Sequence, residues 1–241
     1  MLVPYDLHLH SCLSPCGENE MTPNNIIGMA GILELPVLAV SDHNSAQNLP
    51  AICRLGAEQG VLVVPAIEIT TAEEVHVLSL FPDLAAALDM GEELYAALPP
   101  VANKPEIFGD QLILDEEDRV TGQVDKLLIN AVSFSIEAIF EKVRQRGGVP
   151  IPAHIDKSAY SVLSSLGFLP PELEAHTVEV SPRGLEKGFV PPGSHPLRVI
   201  SSSDAHGLET WSAHEPSRLE LPAVSAHAIL EMLRQPLEKG K

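Results

Sequence analysis

The strongest constraint on the fold is the alternation of short apolar segments with longer segments of helical periodicity. Strands are predicted at Val3–Leu7, Pro36–Val40, Val61–Ile69, Val75–Leu80, Gly148–Ala153, Thr177–Val180 and Arg198–Ser201. A helix capped by Thr22, with Pro23 at its first position, separates the first two strands. Repeated strand–helix alternation is typical of a parallel sheet covered by helices, so the sequence predicts an α/β fold.

One segment interrupts this alternation. Within Val101–Asp125, two short strand-like runs, Gln111–Leu114 and Arg119–Thr121, are joined by the polar turn Asp115–Asp118. A chain of 241 residues fits one α/β barrel. We therefore predict a single domain over residues 1–241, with a hairpin insertion at 101–125.

The charge balance bears on the partners. The chain has 33 acidic and 15 basic residues, a formal net charge of -18. Such a surface repels polyanions, which argues against nucleic acid or an anionic membrane as a partner. A cleft that holds divalent metal can still attract a small anion. The sequence gives no indication of the oligomeric state.

The cellular location is inferred from what the sequence lacks. No segment is long and apolar enough to span a bilayer, and Asp6 and His8 occupy the region where a signal peptide would need apolar residues. Three cysteines do not form the pattern of a disulfide framework. We therefore expect a cytoplasmic protein.

Histidines and acidic residues gather where the predicted strands end. His8 and His10 are two residues apart, so both side chains point to the same side of an extended segment. The other residues at such positions are Asp42, His43, Glu68, His76, His154, Asp204 and His206. Strand ends of α/β folds meet at one rim, and imidazole with carboxylate suits zinc, manganese or iron.

One His-x-His pair would be weak evidence for a metal site, because a buried histidine is more often a hydrogen-bonded core residue. Here two motifs of this spacing, D-L-H-L-H at Asp6–His10 and S-D-A-H at Ser203–His206, lie at opposite ends of the chain. Together with the other strand-end residues they predict a shared centre. A carboxylate could bridge two ions about 3.5–4 Å apart. Two ions at this distance can bind the attacking and leaving oxygens of a displacement reaction.

The motifs resemble those of the PHP superfamily, named after polymerase and histidinol phosphatase. They occur in the family order: D-L-H-L-H-S at Asp6–Ser11, S-D-H at Ser41–His43, Glu68, H-V-L at His76–Leu78, P-A-H at Pro152–His154 and S-D-A-H at Ser203–His206. The resemblance extends over nearly the whole chain. It implies a distorted seven-stranded (β/α) barrel of PHP type with two or three divalent metal ions.

The resemblance also implies roles for single residues. The first ion is assigned to His8, His10, Glu68 and Asp204, the second to Glu68 as a bridge with His76 and His154, and the third to His43 and His206. Asp42 would orient a ligand or accept a proton, and Asp6 would orient His8 or His10.

The chain departs from the family pattern at the third ion. The family usually has H-S-x-x-S followed by an aspartate or histidine that serves this ion, whereas here Ser14 is followed by Pro15 and Cys16. Cys16, Glu18 or Glu20 can substitute. We rank Glu20 first, because it is nearest to the start of the helix at Thr22.

The predicted function is hydrolysis of a phosphate ester on a small phosphorylated metabolite or nucleotide, by a metal-activated hydroxide. Asp42 and Glu68 are the candidate catalytic carboxylates, and Lys157 and Arg183 are candidate phosphate ligands because each follows a predicted strand. Three alternatives stay open: an exonuclease or proofreading nuclease, an amidohydrolase-like enzyme, and a non-catalytic regulatory module that metal stabilises.

Overall fold

The computed structural model describes residues 1–193 and 196–237. Within these residues the strands are β1 (Leu2–Leu9), β2 (Val37–Val40), β3 (Leu62–Val63), β4 (Ala66–Thr70), β5 (His76–Leu80), β6 (Leu112–Leu114), β7 (Val120–Gln123), β8 (Val149–Pro152), β9 (Thr177–Glu179), β10 (Arg198–Ile200) and β11 (Ser217–Glu220). The α-helices are α1 (Pro23–Ile32), α2 (Leu49–Gln59), α3 (Leu84–Ala97), α4 (Pro105–Phe108), α5 (Ile136–Gln145), α6 (Val162–Leu166), α7 (Pro182–Glu186), α8 (Leu208–Ser212) and α9 (Ala226–Arg234). The predicted α/β class is confirmed. Among the described helices, none has the length and apolar character needed to cross a bilayer.

Local sequence signals explain where the helices begin. The Thr22 side chain accepts a hydrogen bond from Asn25 N, so α1 begins as predicted, with Pro23 in its first turn. Ser135 caps α5 in the same way. In α5 the buried positions are Ile136, Ile139, Phe140 and Val143, which recur at helical spacing and face the core.

A bulge in β1 directs two histidines to the inside of the fold. β1 pairs in parallel with β2, but the register shifts between Asp6 and Leu9. Leu7 packs in the core cluster formed by the inner faces of the strands, whereas Leu9 packs in the cluster beneath the helices. Without the bulge, residues 7 and 9 would share one face. The bulge therefore lets His8 and His10 lie on the inner side above Leu7.

The expectation of a parallel sheet holds for only part of the fold. β1, β2 and β3 are parallel, as are β9 and β10, but β4 and β5 are antiparallel, and so are β5 and β8. The reason is local: only five residues, Thr71–Val75, join β4 to β5, which is too short for a crossover helix. Because β5 runs in the reverse direction, its first residue, His76, lies at the rim where β4 ends.

The ladders surround an inner core but do not close. Two isolated β-bridges extend these ladders: one joins Leu9 to Ala205, and the other joins His43 to Glu68. Below the rim, Leu7, Leu78 and Ile151 pack together with Ile229 of α9. Among the described residues the strands form separate hydrogen-bonded sheets rather than one closed barrel, so the seven-stranded barrel stays a prediction.

Candidate metal centre

Glu68, on β4, lies at the centre of the histidine cluster. Its side chain is 1% exposed. Five imidazole nitrogens surround its two carboxylate oxygens, at 3.3 Å (His8 Nε2), 3.4 Å (His10 Nε2), 3.1 Å (His43 Nδ1), 2.8 Å (His76 Nδ1) and 3.1 Å (His154 Nε2). The structure thus brings together ligands that the sequence supplies from β1, the ends of β2 and β8, and the start of β5.

Asp204 is the second carboxylate of the cluster. It follows β10 in a left-handed conformation, with φ 53°. Its Oδ1 lies 3.5 Å from His8 Nε2 and 3.3 Å from His10 Nε2. Its Oδ2 accepts a hydrogen bond from Lys157 Nζ. A non-glycine residue in this conformation is strained, and such strain is often found at functional sites.

The ligand atoms fall into three overlapping groups, each compact enough for one ion: His8, His10, Glu68 and Asp204; His43, Glu68 and His76; and His10, His43 and His206. The first group coincides with the predicted first ligand set. His10, His43 and Glu68 each belong to two groups, and the backbone of His43 forms a bridge with that of Glu68. His154 contacts Glu68 but belongs to none of the three groups.

Two ligand histidines each have their Nδ1 atom held by a hydrogen-bond partner. His8 Nδ1 lies 2.9 Å from Glu179 Oε2, and His10 Nδ1 lies 2.9 Å from Ser14 Oγ. In the neutral imidazole, a proton on each Nδ1 leaves the Nε2 lone pair free, and within the described residues these two buried Nε2 atoms have no hydrogen-bond partner. Buried nitrogens without partners are costly, and ligation by a divalent ion would satisfy them. The donor set therefore fits a metal centre.

Glu179 is a residue of the site that none of the sequence motifs includes. It lies near the end of the predicted strand Thr177–Val180, where a structural carboxylate is the commoner case. Its buried carboxylate is hydrogen-bonded to His8 Nδ1. The same carboxylate accepts a hydrogen bond from the backbone N–H of His154 at 3.1 Å. It therefore orients one candidate ligand of each of the first two predicted ions, and its strand-end position was the signal for this.

Asp42 orients the third-ion region through hydrogen bonds. Its carboxylate accepts from Ser11 N at 2.8 Å, Ser11 Oγ at 2.6 Å and Ser14 Oγ at 2.7 Å. Because Ser14 donates to Asp42, it is left to accept from His10 Nδ1. These bonds favour the orienting role over the proton-accepting one. Asp6 is also buried, and its carboxylate accepts from Trp211 Nε1 and from the backbone of His8.

The structure does not bring Glu20 into the cluster. The Glu20 side chain is exposed, and Glu20 lies within a tight turn that Met21 N closes by donating to Glu18 O. Glu18 lies closer to the third group, since its N–H donates to His206 O at 2.8 Å. A Cβ on Gly207 would lie 2.3 Å from Glu18 Oε2. The backbone contact to His206 therefore favours Glu18 over Glu20, and a glutamate ligand for the third ion stays a prediction.

The carboxylates and imidazoles shift one another's ionisation. Burial would raise the pKa of Glu68, but the surrounding histidines hold it well below its usual value. Burial disfavours the charged form of His10, yet the neighbouring carboxylates of Asp204 and Glu68 raise its pKa to about 9. Burial and the charge of His10 lower the pKa of His206 to about 4. The cluster is therefore charged on its carboxylates, as a cation site requires.

A cavity of about 910 Å³ opens over this cluster, and basic residues line one side of it. Lys157, Arg183 and Lys187 come from the 154–161 and 180–189 segments, which follow β8 and β9. Lys157 pairs with Asp204, whereas in the part of the chain that the structure describes Arg183 and Lys187 take part in no ion pair. Unpaired cations beside a metal centre favour an anionic ligand.

Comparison with known proteins gives partial matches. No protein-family model matches the chain. The 5'-3' exoribonuclease Rnm of Salmonella typhimurium is 30% identical over 88 residues, which are 34% of this chain and 29% of Rnm. The chain thus spans less than a third of this relative.

Solved structures resemble nearly the whole chain. The lesion-specific endonuclease Q of Pyrococcus furiosus matches with a TM-score of 0.67 at 18% identity, over 97% of this chain and 56% of that one. A candidate metal-dependent phosphoesterase of Bifidobacterium adolescentis matches with a TM-score of 0.58 at 17% identity, over 98% of both chains. At these identities the likeness establishes the fold.

The predicted partners need correction. We expected a small phosphorylated substrate and argued against nucleic acid, but the relative is an exoribonuclease, and endonuclease Q has been solved with a duplex that carries an abasic lesion at the active site. The argument from net charge has a physical weakness. The net charge is a sum over the whole chain, whereas basic side chains are concentrated along one side of the cavity. The similar proteins are named as an exoribonuclease, an endonuclease and a metal-dependent phosphoesterase, which is consistent with the resemblance to the PHP superfamily.

Proposed function

We propose that this chain is a metal-dependent nuclease that hydrolyses phosphodiester bonds of nucleic acid. The observation that carries the proposal is the position of the Glu68 cluster at the base of a cavity bordered by Arg183 and Lys187. A site that bound only metal for stability would not need unpaired cations in an acidic chain. The likeness to an exoribonuclease and to endonuclease Q supports nucleic acid as the substrate class.

The same proposal covers the metal ions and the domain. His8, His10, Glu68 and Asp204 would hold one ion, and Glu68 would share a second with His76 and His154. His43 and His206 would hold a third, and zinc, manganese or iron suits these ligands. We also propose that residues 1–241 form one PHP domain with the hairpin at 101–125 as an insertion.

Ions bound here would supply Lewis acidity and would lower the pKa of water. The chain's own residues supply binding and orientation. Arg183 and Lys187 would bind phosphate oxygens, and Arg183 can do so with two parallel hydrogen bonds. Lys157, already bonded to Asp204, lies where it would offset charge on a phosphoryl oxygen beside that carboxylate.

Three side chains keep the ligand atoms in place. Glu68 is buried among the histidines and acts as the shared carboxylate. Glu179 and Asp42 act indirectly, by holding ligand histidines in position. Glu179 contacts His8 directly, and Asp42 positions His10 through a hydrogen bond with Ser14. This arrangement keeps both Nε2 atoms directed at Glu68 and Asp204 before substrate arrives.

The test is a nuclease assay on protein loaded with manganese, zinc or iron, with end-labelled single-stranded RNA, single-stranded DNA and a duplex that contains an abasic site. We expect cleavage by the wild-type protein. Glu68→Gln should abolish it, because an amide cannot bridge two ions as a carboxylate does. His227→Ala is the matched control, since His227 lies exposed on α9.

Two results would contradict the proposal. One is protein that holds metal but cleaves none of these nucleic acids with any of the three ions. The other is cleavage by Glu68→Gln at the wild-type rate, which would remove the cluster from the chemistry.

A further inference from the structure

Tyr160 is an exposed aromatic residue beside the candidate metal centre. Aromatic residues make up 4% of the chain, and large ones such as Trp211, Phe81 and Phe140 are fully buried. Tyr160, in contrast, is 50% exposed and lines the cavity over the cluster. Nothing in the proposed hydrolysis requires an aromatic ring there.

The backbone holds Tyr160 in place at a cost. Its φ is 56°, a conformation that is rare for a bulky residue. Its carbonyl accepts a hydrogen bond from His76 N at 2.9 Å, which ties the segment to the start of β5. Ser161 Oγ donates to Lys157 O at 2.7 Å and closes the turn beneath it. Strained residues persist where the surroundings fix them, and they are common at binding sites.

The ring is held parallel to the candidate ligand His76. The two ring centroids are 4.8 Å apart, and the planes are inclined by 20°. One face of the Tyr160 ring is therefore covered by the imidazole, while half of the residue stays accessible to the cavity. The ring forms a flat apolar surface whose orientation is set before any ligand binds.

Basic residues also line the cavity, and hydrogen bonds hold the segment that carries them. Asp156 accepts hydrogen bonds from Ser181 N and Ser181 Oγ, at 2.7 and 2.5 Å, and so joins the 154–161 segment to the 180–189 segment. Gly184 lets the two approach, because a Cβ there would lie 2.5 Å from Asp156 Oδ2. Arg183 and Lys187 are thus carried by a segment tied to the one that carries Tyr160.

We infer that Tyr160 is a stacking platform for one unpaired nucleobase, with the adjoining phosphates bound by Arg183 and Lys187. The inference rests on the proposed function and narrows its substrate class to nucleic acid whose base is free at the cleavage site, as in a single strand. Every nucleobase, whatever the sequence, has a π-face that can stack on an aromatic ring. A cavity of this size accommodates a nucleotide. A phosphate monoester without a base would leave the ring without a partner.

The test compares two oligomers of equal length and charge: oligothymidylate, and an oligomer of abasic tetrahydrofuran units with the same phosphates. With metal-loaded wild-type protein we expect a lower KM for oligothymidylate. Tyr160→Leu should raise that KM roughly five- to a hundredfold, the range of one base–aromatic contact, and leave the KM for the abasic oligomer unchanged. Tyr160→Phe should behave as the wild type, because it keeps the ring.

Each other outcome overturns the platform. If Tyr160→Leu impairs both oligomers equally, or loses metal, the ring only supports His76. If Tyr160→Phe is as poor as Tyr160→Leu, the hydroxyl and not the ring is used. Should Tyr160→Leu fail to fold, equal KM values for the two oligomers with wild-type protein would suffice to refute it. Cleavage of neither oligomer, nor of any substrate in the nuclease assay, would instead refute the proposed function.

Discussion

Around the cluster, some residues are candidate metal ligands and others only orient those ligands. Glu179 is the clearest of the orienting residues. Glu179→Gln should weaken metal binding about ten- to a hundredfold, because an amide holds the His8 proton less strongly than a carboxylate. Competition with a chelating dye measures this affinity. Glu186→Gln, an exposed change on α7, is the control. Equal affinities in the two variants would show that Glu179 is merely structural.

Arg183 gives a second prediction at the residue scale. Arg183→Ala should lower kcat/KM on a single-stranded oligonucleotide roughly ten- to a hundredfold, as expected for loss of one charge-assisted contact. The dependence of binding on salt should become less steep, since one phosphate contact is lost. Metal content should not change.

The matched control for Arg183→Ala is Arg54→Ala. Arg54 is exposed and is already paired with Glu58 and Glu116. Identical salt dependence in wild type and Arg183→Ala would place this guanidinium outside the nucleic-acid site.

At the scale of elements, the buried side chain of Asn48 is one of the groups that join the hairpin of β6 and β7 to the fold. Asn48 accepts from Leu114 N at 2.9 Å and donates to Leu112 O at 3.1 Å and to Ser11 Oγ at 3.0 Å. Asn48→Ala would leave these groups without partners. It should lower the free energy of unfolding by about 1–3 kcal/mol.

Urea unfolding measures the effect of Asn48→Ala. Asn19→Ala, which removes an exposed hydrogen bond to Asp110, is the comparison and should cost far less. Equal destabilisation by the two changes would mean that the hairpin contributes nothing to the fold through Asn48.

Element positions were predictable where periodicity and capping agree, as for α1 and α5. They were not predictable where a single proline divides one apolar run into two strands. Val61–Ile69 reads as one strand, yet Pro65 lies between β3 and β4, and these two strands belong to different sheets. Proline has no N–H for a ladder, so the chain changes partners there. β11 was missed because its exposed residues, such as Arg218 and Glu220, give no continuous apolar pattern.

At the scale of the whole molecule, the motifs predicted the cluster of histidines and carboxylates because its members lie on strands or in the segments that directly follow them. The anion-binding side was harder to predict, since Lys187 and Tyr160 lie in loops whose direction depends on contacts such as Asp156 with Ser181. A net charge of -18 pointed away from nucleic acid. Only the folded chain shows that cations border the site.

Metal binding should also be coupled to protons across the molecule. In the metal-free protein the pKa of His10 is raised to about 9, so its imidazole is charged at neutral pH. A ligand histidine must be neutral, so ion binding must release this proton. Metal affinity should therefore rise between pH 7 and pH 9. Titration calorimetry in buffers with different enthalpies of ionisation measures the protons released.

The same linkage predicts how stability changes with pH. Because the folded-state pKa of His10 lies above its ordinary value of 6.5, its charged form stabilises the metal-free fold fully below that value, and this contribution is lost as pH rises through about 9. Bound metal replaces the proton and stabilises the folded state by mass action. The difference in Tm between metal-loaded and chelator-treated protein should therefore widen from pH 7 to pH 9. His227→Ala should show the same widening, and a difference that stays constant or narrows would show that His10 carries no proton that metal displaces.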